Sequence, residues 1–313
     1  MIQQAGFKVP LKLALHSTPV VELALPTYTA NLSLPAAPAK PQVHAEVGRY
    51  RLRLAESAED RLAACRLRFK VFNIEMGEGL ESSYQTGIDT DRFDAVCEHL
   101  LVEDKQESNA SKRVVGTYRM QSGTTAALHL GYYSEQEFNF APYEPLRPGI
   151  LELGRASIDR EHRTPEVLTL LWRGIAQYAT DMGLRYLVGC SSINSKDPAE
   201  GWQMYRQLEQ YRVSPEFETS PTEAFACPTE LEGAQTQPEP SLHEGVEALP
   251  VLTRSVQVPK VPKLLRTYLT IGCRIGGPPA WDREFGTIDF LTLLDLKMVS
   301  ASARNRFLAP LTQ

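Results

Sequence analysis

Segments with the two-residue period of a strand and segments with the period of a helix follow one another along this chain. Their order limits the fold more than any single residue does. RYRLRLA (49–55) alternates as a half-buried strand, and AESAEDRLAACRLRFKVFNIEMG then carries Leu62, Cys65 and Phe69 at helical spacing behind an N-cap candidate, Ser57. After a loop, EHLLVEDK and RVVGTYRMQ read as a hairpin of two central strands, with Asn109 and Ser111 in the turn. LELGRASID is a further strand. Thr164-Pro165-Glu166 opens a helix, VLTLLWRGIAQYATDMG, that stops at Gly183. LRYLVGCSSI reads as a buried strand and PAEGWQMYRQLEQY as the next helix; PKLLRTYLTIGCRIGGPPAW and TIDFLTLLDLK predict one more helix and a last strand. With no internal repeat, the order β-α-loop-β-β-β-α-β-α-(insert)-α-β predicts one α/β domain around a mixed sheet.

The flanks differ from this body. Residues 1–47 are rich in Pro and Ala without a sustained period and read as a disordered leader, residues 48–300 as the domain, and residues 301–313 as a tail. Segment 213–253 has eight Glu and no Asp, Lys or Arg, a local charge of -8, and reads as a disordered insertion that is expected either on the far side of the molecule or as a loose, screened gate. The whole chain carries -5, so the remainder carries -5 + 8 = +3 and is mildly basic. The overall balance gives no sign of a nucleic-acid partner. Five scattered cysteines without a C-x-x-C pair fit a reducing cytoplasm. The apolar start of the chain is broken by Pro10, Pro19, Glu22 and Pro26, which argues against a signal peptide. No stretch approaches the roughly 18 apolar residues of a spanning helix, so any membrane contact is expected to be peripheral.

Charged residues gather near the ends of these elements. Arg68 precedes Val71-Phe72 on a helix, Asp91 and Asp94 sit on the loop after it, Arg119 ends the second hairpin strand, and Glu152 and Arg155 flank Leu153-Gly154. On a regular strand Glu152 and Gly154 share a face and Arg155 takes the other, unless a bulge re-aims one of them. Each alone has a bland reading, a solvated arginine or a turn-capping aspartate. Together they are costly in a buried strand unless paired, either with each other or with a ligand. His99 reads as a hydrogen-bonded structural histidine, and Trp172, Trp202, Phe69 and Cys190 read as packing. Ser191-Ser192 lacks the context of a serine nucleophile. No His, Cys or carboxylate group shows metal-ligand spacing, so no metal is expected.

RLRFKVF, DTDRFD, GTYRM and ELGRASIDREHR, in this order, resemble the acyl-homoserine-lactone autoinducer synthases. In that family Arg-x-x-Val-Phe, Asp-x-Tyr/Phe-Asp, a strand-end Arg and Glu-x-x-Arg line the active site. A fuller resemblance is to their relatives, the ornithine N-acyltransferases that begin ornithine-lipid synthesis. It adds His99 of CEHLLV, LLWRGIAQY, YLVGCSSI and the run from Pro262 through TLLD, and covers roughly residues 50–212 and 259–296. The resemblance implies a GNAT-like fold, with a mixed, mostly antiparallel central sheet flanked by helices. Two departures matter. The Q/R-x-x-G-x-G/A pyrophosphate loop is absent, EHRTPEVLTL standing in its place, so coenzyme A should bind poorly and acyl carrier protein is the expected donor. Asn73-Ile74-Glu75-Met76 stands where the autoinducer synthases carry an aromatic, which weakens a lactone-forming activity.

The resemblance therefore implies transfer of a 3-hydroxy fatty acyl group from acyl carrier protein to the α-amine of L-ornithine, with no cofactor beyond the carrier's phosphopantetheine. Glu152 is the expected base, a role typically worth ~10²–10⁴-fold, with Arg155 beside it. Arg68, Phe72, Asp91, Asp94 and Arg119 are the expected amino-acid site. Acyl carrier protein is acidic, so its dock should be basic: Arg160, Arg163 and Arg173 near one helix start, and Lys260, Lys263 and Arg266 after the insertion. The alternatives are another N-acyl amino acid or acyl-homoserine-lactone-type synthase, and an inactive module that binds acyl chains or the carrier.

Overall fold

The strand-patterned segments pair into one twisted sheet in the computed structural model, which describes residues 41–229 and 259–311. Nine strands form it: β1 (His44–Val47), β2 (Tyr50–Leu54), β3 (Glu98–Asp104), β4 (Val114–Ser122), β5 (Ile150–Ile158), β6 (Tyr186–Ile193), β7 (Arg274–Ile275), β8 (Ala280–Asp282) and β9 (Thr287–Asp295). Their order is β1-β2-β3-β4-β5-β6-β9-β7, with β8 also on β9. Only β5–β6 is parallel. The helices are α1 (Ala58–Phe69), α2 (Ser83–Thr86), α3 (Gly123–Leu128), α4 (Pro165–Asp181), α5 (Pro198–Gln207), α6 (Lys263–Ile271) and α7 (Ala301–Phe307).

Alternation along β3 sends neighbouring residues to opposite faces, so the sheet is covered on both. Leu100 and Val102 pack with Leu52 against Val167, Leu170, Leu171 and Ile175 of α4. Leu101 turns the other way, onto Ala63, Ala64 and Leu67 of α1. Burial of each of the large α4 side chains contributes about 1.5–3 kcal/mol. Gly174 lets α4 approach this closely, because a Cβ there would stand 2.7 Å from a Leu52 methyl. Local signals set the helix starts. Ser57 and Asp60 form a reciprocal capping box on α1, and Thr164 caps α4 ahead of Pro165.

Two irregularities in the sheet create the space for chemistry. β5 and β6 pair only from Ile150↔Tyr186 to Glu152↔Val188, although β5 continues along β4 to Ile158 and β6 along β9 to Ile193. A gap therefore opens between them. Across from it, Thr117 pairs with Ser157 but Arg119 with Gly154, so Arg155 and Ala156 together oppose Tyr118. This is a β-bulge, and Arg155 at φ 52 is the one non-glycine in the left-handed region among the described residues.

The domain limits differ from the sequence expectation. β1 lies inside the stretch read as leader, because His44–Val47 finds an edge partner in β2. α7 occupies the stretch read as tail and buries Ala303 and Phe307. The acidic insertion is structured at its start. Val213 and Thr219 donate to the carbonyls of Ile275 and Gly276, Thr222 to that of Glu137, and Cys227 is buried. Backbone pairing compensates there for the scarcity of apolar side chains. The expectations for residues 1–40 and 230–258 lie outside the described residues.

Candidate active site

α1 runs into a wider π-helical turn, Lys70–Met76, that ends at Gly77. Arg68, one position before the end of α1, is 1% exposed. Its Nε donates to Asp89 Oδ1 at 2.6 Å, and its two terminal nitrogens reach Asp94 at 2.7 and 2.8 Å. Asp91 and Asp94 close a capping box on the short turn Arg92–Ala95, which fixes both carboxylates. Arg119 donates to Asp91 at 2.6 Å and to Asp94 at 3.2 Å. The bulge turns Arg155 toward the same group, 3.3 Å from Asp91 and 3.8 Å from Asp89. Three arginines and three aspartates thus balance one another in charge, with Asp89 Oδ2 alone among their carboxylate oxygens receiving no hydrogen bond. Burial pushes the Asp94 carboxyl up, but Arg68 and Arg119 outweigh it and hold it far below the usual range. The Asp91 carboxyl is likewise held low against burial, mainly by Arg119.

Arg68, Asp91, Asp94 and Arg119 thus pair with one another, the bland alternative to the amino-acid site that the resemblance implies. Asp89, which the motif reading passed over, is the network's third acid. His99 sits beneath it, 3.2 Å from the Asp94 carbonyl. Burial lowers the imidazole to about 4 despite the pull of Asp94, so it is neutral at pH 7 and structural, as expected.

Glu152 is also spoken for. Its carboxylate accepts from Tyr133 N at 2.8 Å and from Ser134 N and Oγ at 2.8 and 2.6 Å. Burial pushes its pKa up while those three donors and Arg119 oppose the shift. Such a carboxylate anchors the turn Tyr133–Gln136 to the sheet, with three of its roughly four acceptor positions taken.

The gap between β5 and β6 opens into a cavity of about 940 Å³. Glu152, Arg155, Arg119 and Phe72 line it, whereas Arg68, Asp91 and Asp94 do not. Its walls are Leu153–Ile158 of β5 and Leu187–Ser192 of β6, Cys190 among them. The exposed end is formed by Arg163 and Leu168 around α4, by Lys263, Leu264 and Arg266 on α6, and by Arg306 on α7, while the buried Trp172 of α4 lines the wall. Trp172 is thus both core and cavity wall. Trp202 caps the carbonyls of Cys227 and Pro228 instead, and Phe69 packs on Tyr84. Arg163 already pairs with Glu75 at 2.6 Å. Arg160 and Lys260 are exposed outside the cavity, and Arg173 is half-buried on α4, so the expected dock divides between mouth and surface.

At the buried end stand carboxylates that motif spacing did not reveal. Glu137 follows the turn held by Glu152, Asp282 ends β8, and Asp289 lies in β9. Ligand oxygens of the three lie within 4.8 Å of one another, a geometry that can hold a cation. The available signal was a charged residue inside the apolar run TIDFLTLLD, the same signal that singled out Glu152. Glu78 also lines this end, and burial with the charge of Asp289 raises it to about 7. Arg155 borders the same region, its guanidinium carbon 4.3 Å from the Phe285 ring centre and 5.4 Å from that of Tyr133.

Comparison with known proteins agrees with this architecture. A model described as an acetyltransferase (GNAT) domain matches residues 67–173. The chain is 30% identical over 261 residues to an L-ornithine N(alpha)-acyltransferase of Brucella abortus (strain 2308), covering 82% of this chain and 87% of that one. It is also 30% identical over 260 residues to the enzyme of the same name from Agrobacterium fabrum, covering 81% and 83%. Among solved structures it is similar to the AHL synthase LasI, at a TM-score of 0.46 and 12% identity over 85% of this chain and 98% of that one. It is also similar to FeeM, an N-acyl amino acid synthase from uncultured soil microbes, at 0.45 and 12% over 84% and 97%.

Proposed function

This chain belongs to the family of L-ornithine N(alpha)-acyltransferases, and on that footing we propose that it moves a 3-hydroxy fatty acyl group from acyl carrier protein to the α-amine of L-ornithine, giving lyso-ornithine lipid. One observation carries the reading: the gap between β5 and β6 joins a mouth lined by Lys263, Arg266 and Arg306 to a buried end lined by carboxylates. A basic mouth suits an acidic carrier protein in the cytoplasm. A slot beside an unpaired strand stretch suits a linear phosphopantetheine arm, whose amides can hydrogen-bond the freed β5 backbone. A zwitterionic acceptor carrying an extra amine suits the far end.

The chemistry is aminolysis of a thioester. The ornithine α-ammonium loses a proton, its nitrogen attacks the carbonyl carbon, the C–N bond forms and the C–S bond breaks. The carrier's sulfur leaves with the second amine proton, so one proton is released per turnover. N–H groups of Gly154–Ser157 that face the gap are the donors for the developing oxyanion. Glu78, raised to about 7 and with its backbone N–H on the Phe72 carbonyl but no hydrogen bond to its carboxyl among the described residues, is the proton acceptor in place of Glu152, which positions the Tyr133 turn. Arg155 holds its aspartates most loosely and takes the acceptor's carboxylate.

The test is thiol release and product mass with 3-hydroxyacyl carrier protein and a panel of amino acids. Ornithine-dependent release supports the proposal. Equal turnover with free acyl-coenzyme A sinks the carrier-protein assignment, and a preference for a methionine-adenosyl acceptor sinks the acceptor.

A further inference from the structure

Two groups of buried acids flank Arg155, and they are compensated differently. Asp89, Asp91 and Asp94 are matched by three arginines. Glu137, Asp282 and Asp289 are 1%, 4% and 4% exposed, yet none forms an ion pair among the described residues. No well-formed hydrogen bond reaches either oxygen of Glu137 or Oδ1 of Asp289, although the two acids lie close enough to share a proton and Cys190, Ser192 and Thr287 stand beside them. Asp282 spends one oxygen on the N–H groups of Glu284 and Phe285, each at 2.9 Å. An uncompensated set of this kind is expensive to bury as carboxylates, and is relieved either by a proton held among the acids or by a cation that completes the set.

The set opens on the cavity rather than on the packed interior. Burial, with the negative charges of Asp289 and Asp282, pushes the Glu137 carboxyl well above the usual range, and burial with Asp282 raises Asp289 as well. Tyr133 lies between this set and Arg155, and its phenol feels the charges of both. The pocket therefore has a cationic corner and an anionic corner with an aromatic wall between them.

We infer that Glu137, Asp282 and Asp289 bind the side-chain ammonium of the amino-acid acceptor and select a cationic side chain over a neutral one. The inference rests on the proposed acylation of an amino acid and adds which residues choose that acid. An ammonium suits the site because it brings three donors and no acceptor to three carboxylates. Donor distances of about 2.8 Å around a tetrahedral nitrogen space the acceptors about 4.6 Å apart, within the span of these oxygens. Asp91 and Asp94, part of the amino-acid site implied by the resemblance, are already held at hydrogen-bonding distance by Arg119 and Arg68.

The test uses the full chain with acyl carrier protein as donor. L-Ornithine is compared with L-norvaline, the same carbon skeleton without the side-chain amine, both in turnover and in calorimetric titration without donor. Wild type should favour ornithine by roughly 10²-fold or more in kcat/KM, since norvaline leaves the carboxylates unpaired. Glu137→Gln and Asp289→Asn, shape-conserving changes that relieve repulsion and should keep Tm at or above wild type, should each shrink that ratio at least about tenfold. The loss should come through the KM for ornithine, with the KM for the donor unchanged. A ratio preserved in both variants, or equal loss with both acceptors, overturns the inference. So does a loss of ornithine use in EDTA that Mg²⁺ or Mn²⁺ restores, which would give the set to a metal. Should wild type neither bind nor acylate ornithine, the functional reading falls by itself. The inference then stands if the amine that is accepted carries a cationic side chain and falls if it carries a neutral one.

Discussion

Arg68→Met separates a structural strut from a substrate ligand. The side chain is 1% exposed and makes four hydrogen bonds, at 2.6–2.8 Å, to Asp89 and Asp94. Methionine keeps much of the apolar stem and removes the charge. Breaking a buried pair in this way costs about 3–5 kcal/mol, because the abandoned carboxylates stay in a low-dielectric site. For a domain of this size each kcal/mol lowers Tm by roughly 2–4 °C, so a fall of about 6–20 °C is expected. The pH dependence supplies a second sign. The folded Asp94 carboxyl is depressed, so its contribution is present above the unfolded value and lost as pH falls through the folded one. In Arg68→Met that carboxyl moves back up toward or above the unfolded value, so its share of the acid loss shrinks and the Tm deficit of the variant should narrow as pH falls. Arg68→Met/Asp94→Asn should recover part of the Tm, since removing both partners leaves less unpaired charge. Thermal denaturation followed by circular dichroism from pH 2 to 8 measures all three, since the Asp94 contribution is lost only below the unfolded value. A Tm within about 2 °C of wild type, together with a raised KM for the amino acid, would refute the strut and return Arg68 to the substrate.

Glu78→Gln should lower kcat by ~10²–10⁴-fold and abolish the acid limb of kcat/KM. In wild type that limb should rise with pH through about 7, as the base loses its proton; a limb unchanged in the variant removes Glu78 from the mechanism. Glu152→Gln sets an amide N–H₂ against donors from Tyr133 and Ser134. It should cost about 1–3 kcal/mol of stability, and a variant with wild-type Tm but no turnover would restore Glu152 as the base. Lys263→Glu/Arg266→Glu at the cavity mouth should raise the KM for acyl carrier protein at low salt. The difference should narrow as salt screens exposed charges beyond ~8–10 Å, and a wild-type KM at low salt moves the dock elsewhere.

What was legible in the sequence was what short-range physics decides. Strand alternation, the Ser57 and Thr164 caps and the stop at Gly183 depend on neighbours a few residues away, and these elements stand where their residues predict. Buried charge was legible as well, because Glu152 or Arg155 inside an apolar run demands a partner somewhere. Which partner was not. Arg68 and Asp94 could equally have faced a substrate, and only packing around α1 and the Arg92–Ala95 turn brought them within hydrogen-bonding distance of each other. The strand period assigns Arg155 to the wrong face, and a bulge, which depends on register with β4, returned it to the site. Glu137, Asp282 and Asp289 are far apart in sequence and share no motif. A loop pinned by Glu152 and a hairpin folded onto β6 carry them to one end of a cavity. Coulomb interactions act through space at a strength set by burial, so tertiary structure alone determined which acids were neutralised and which were left to meet a cation.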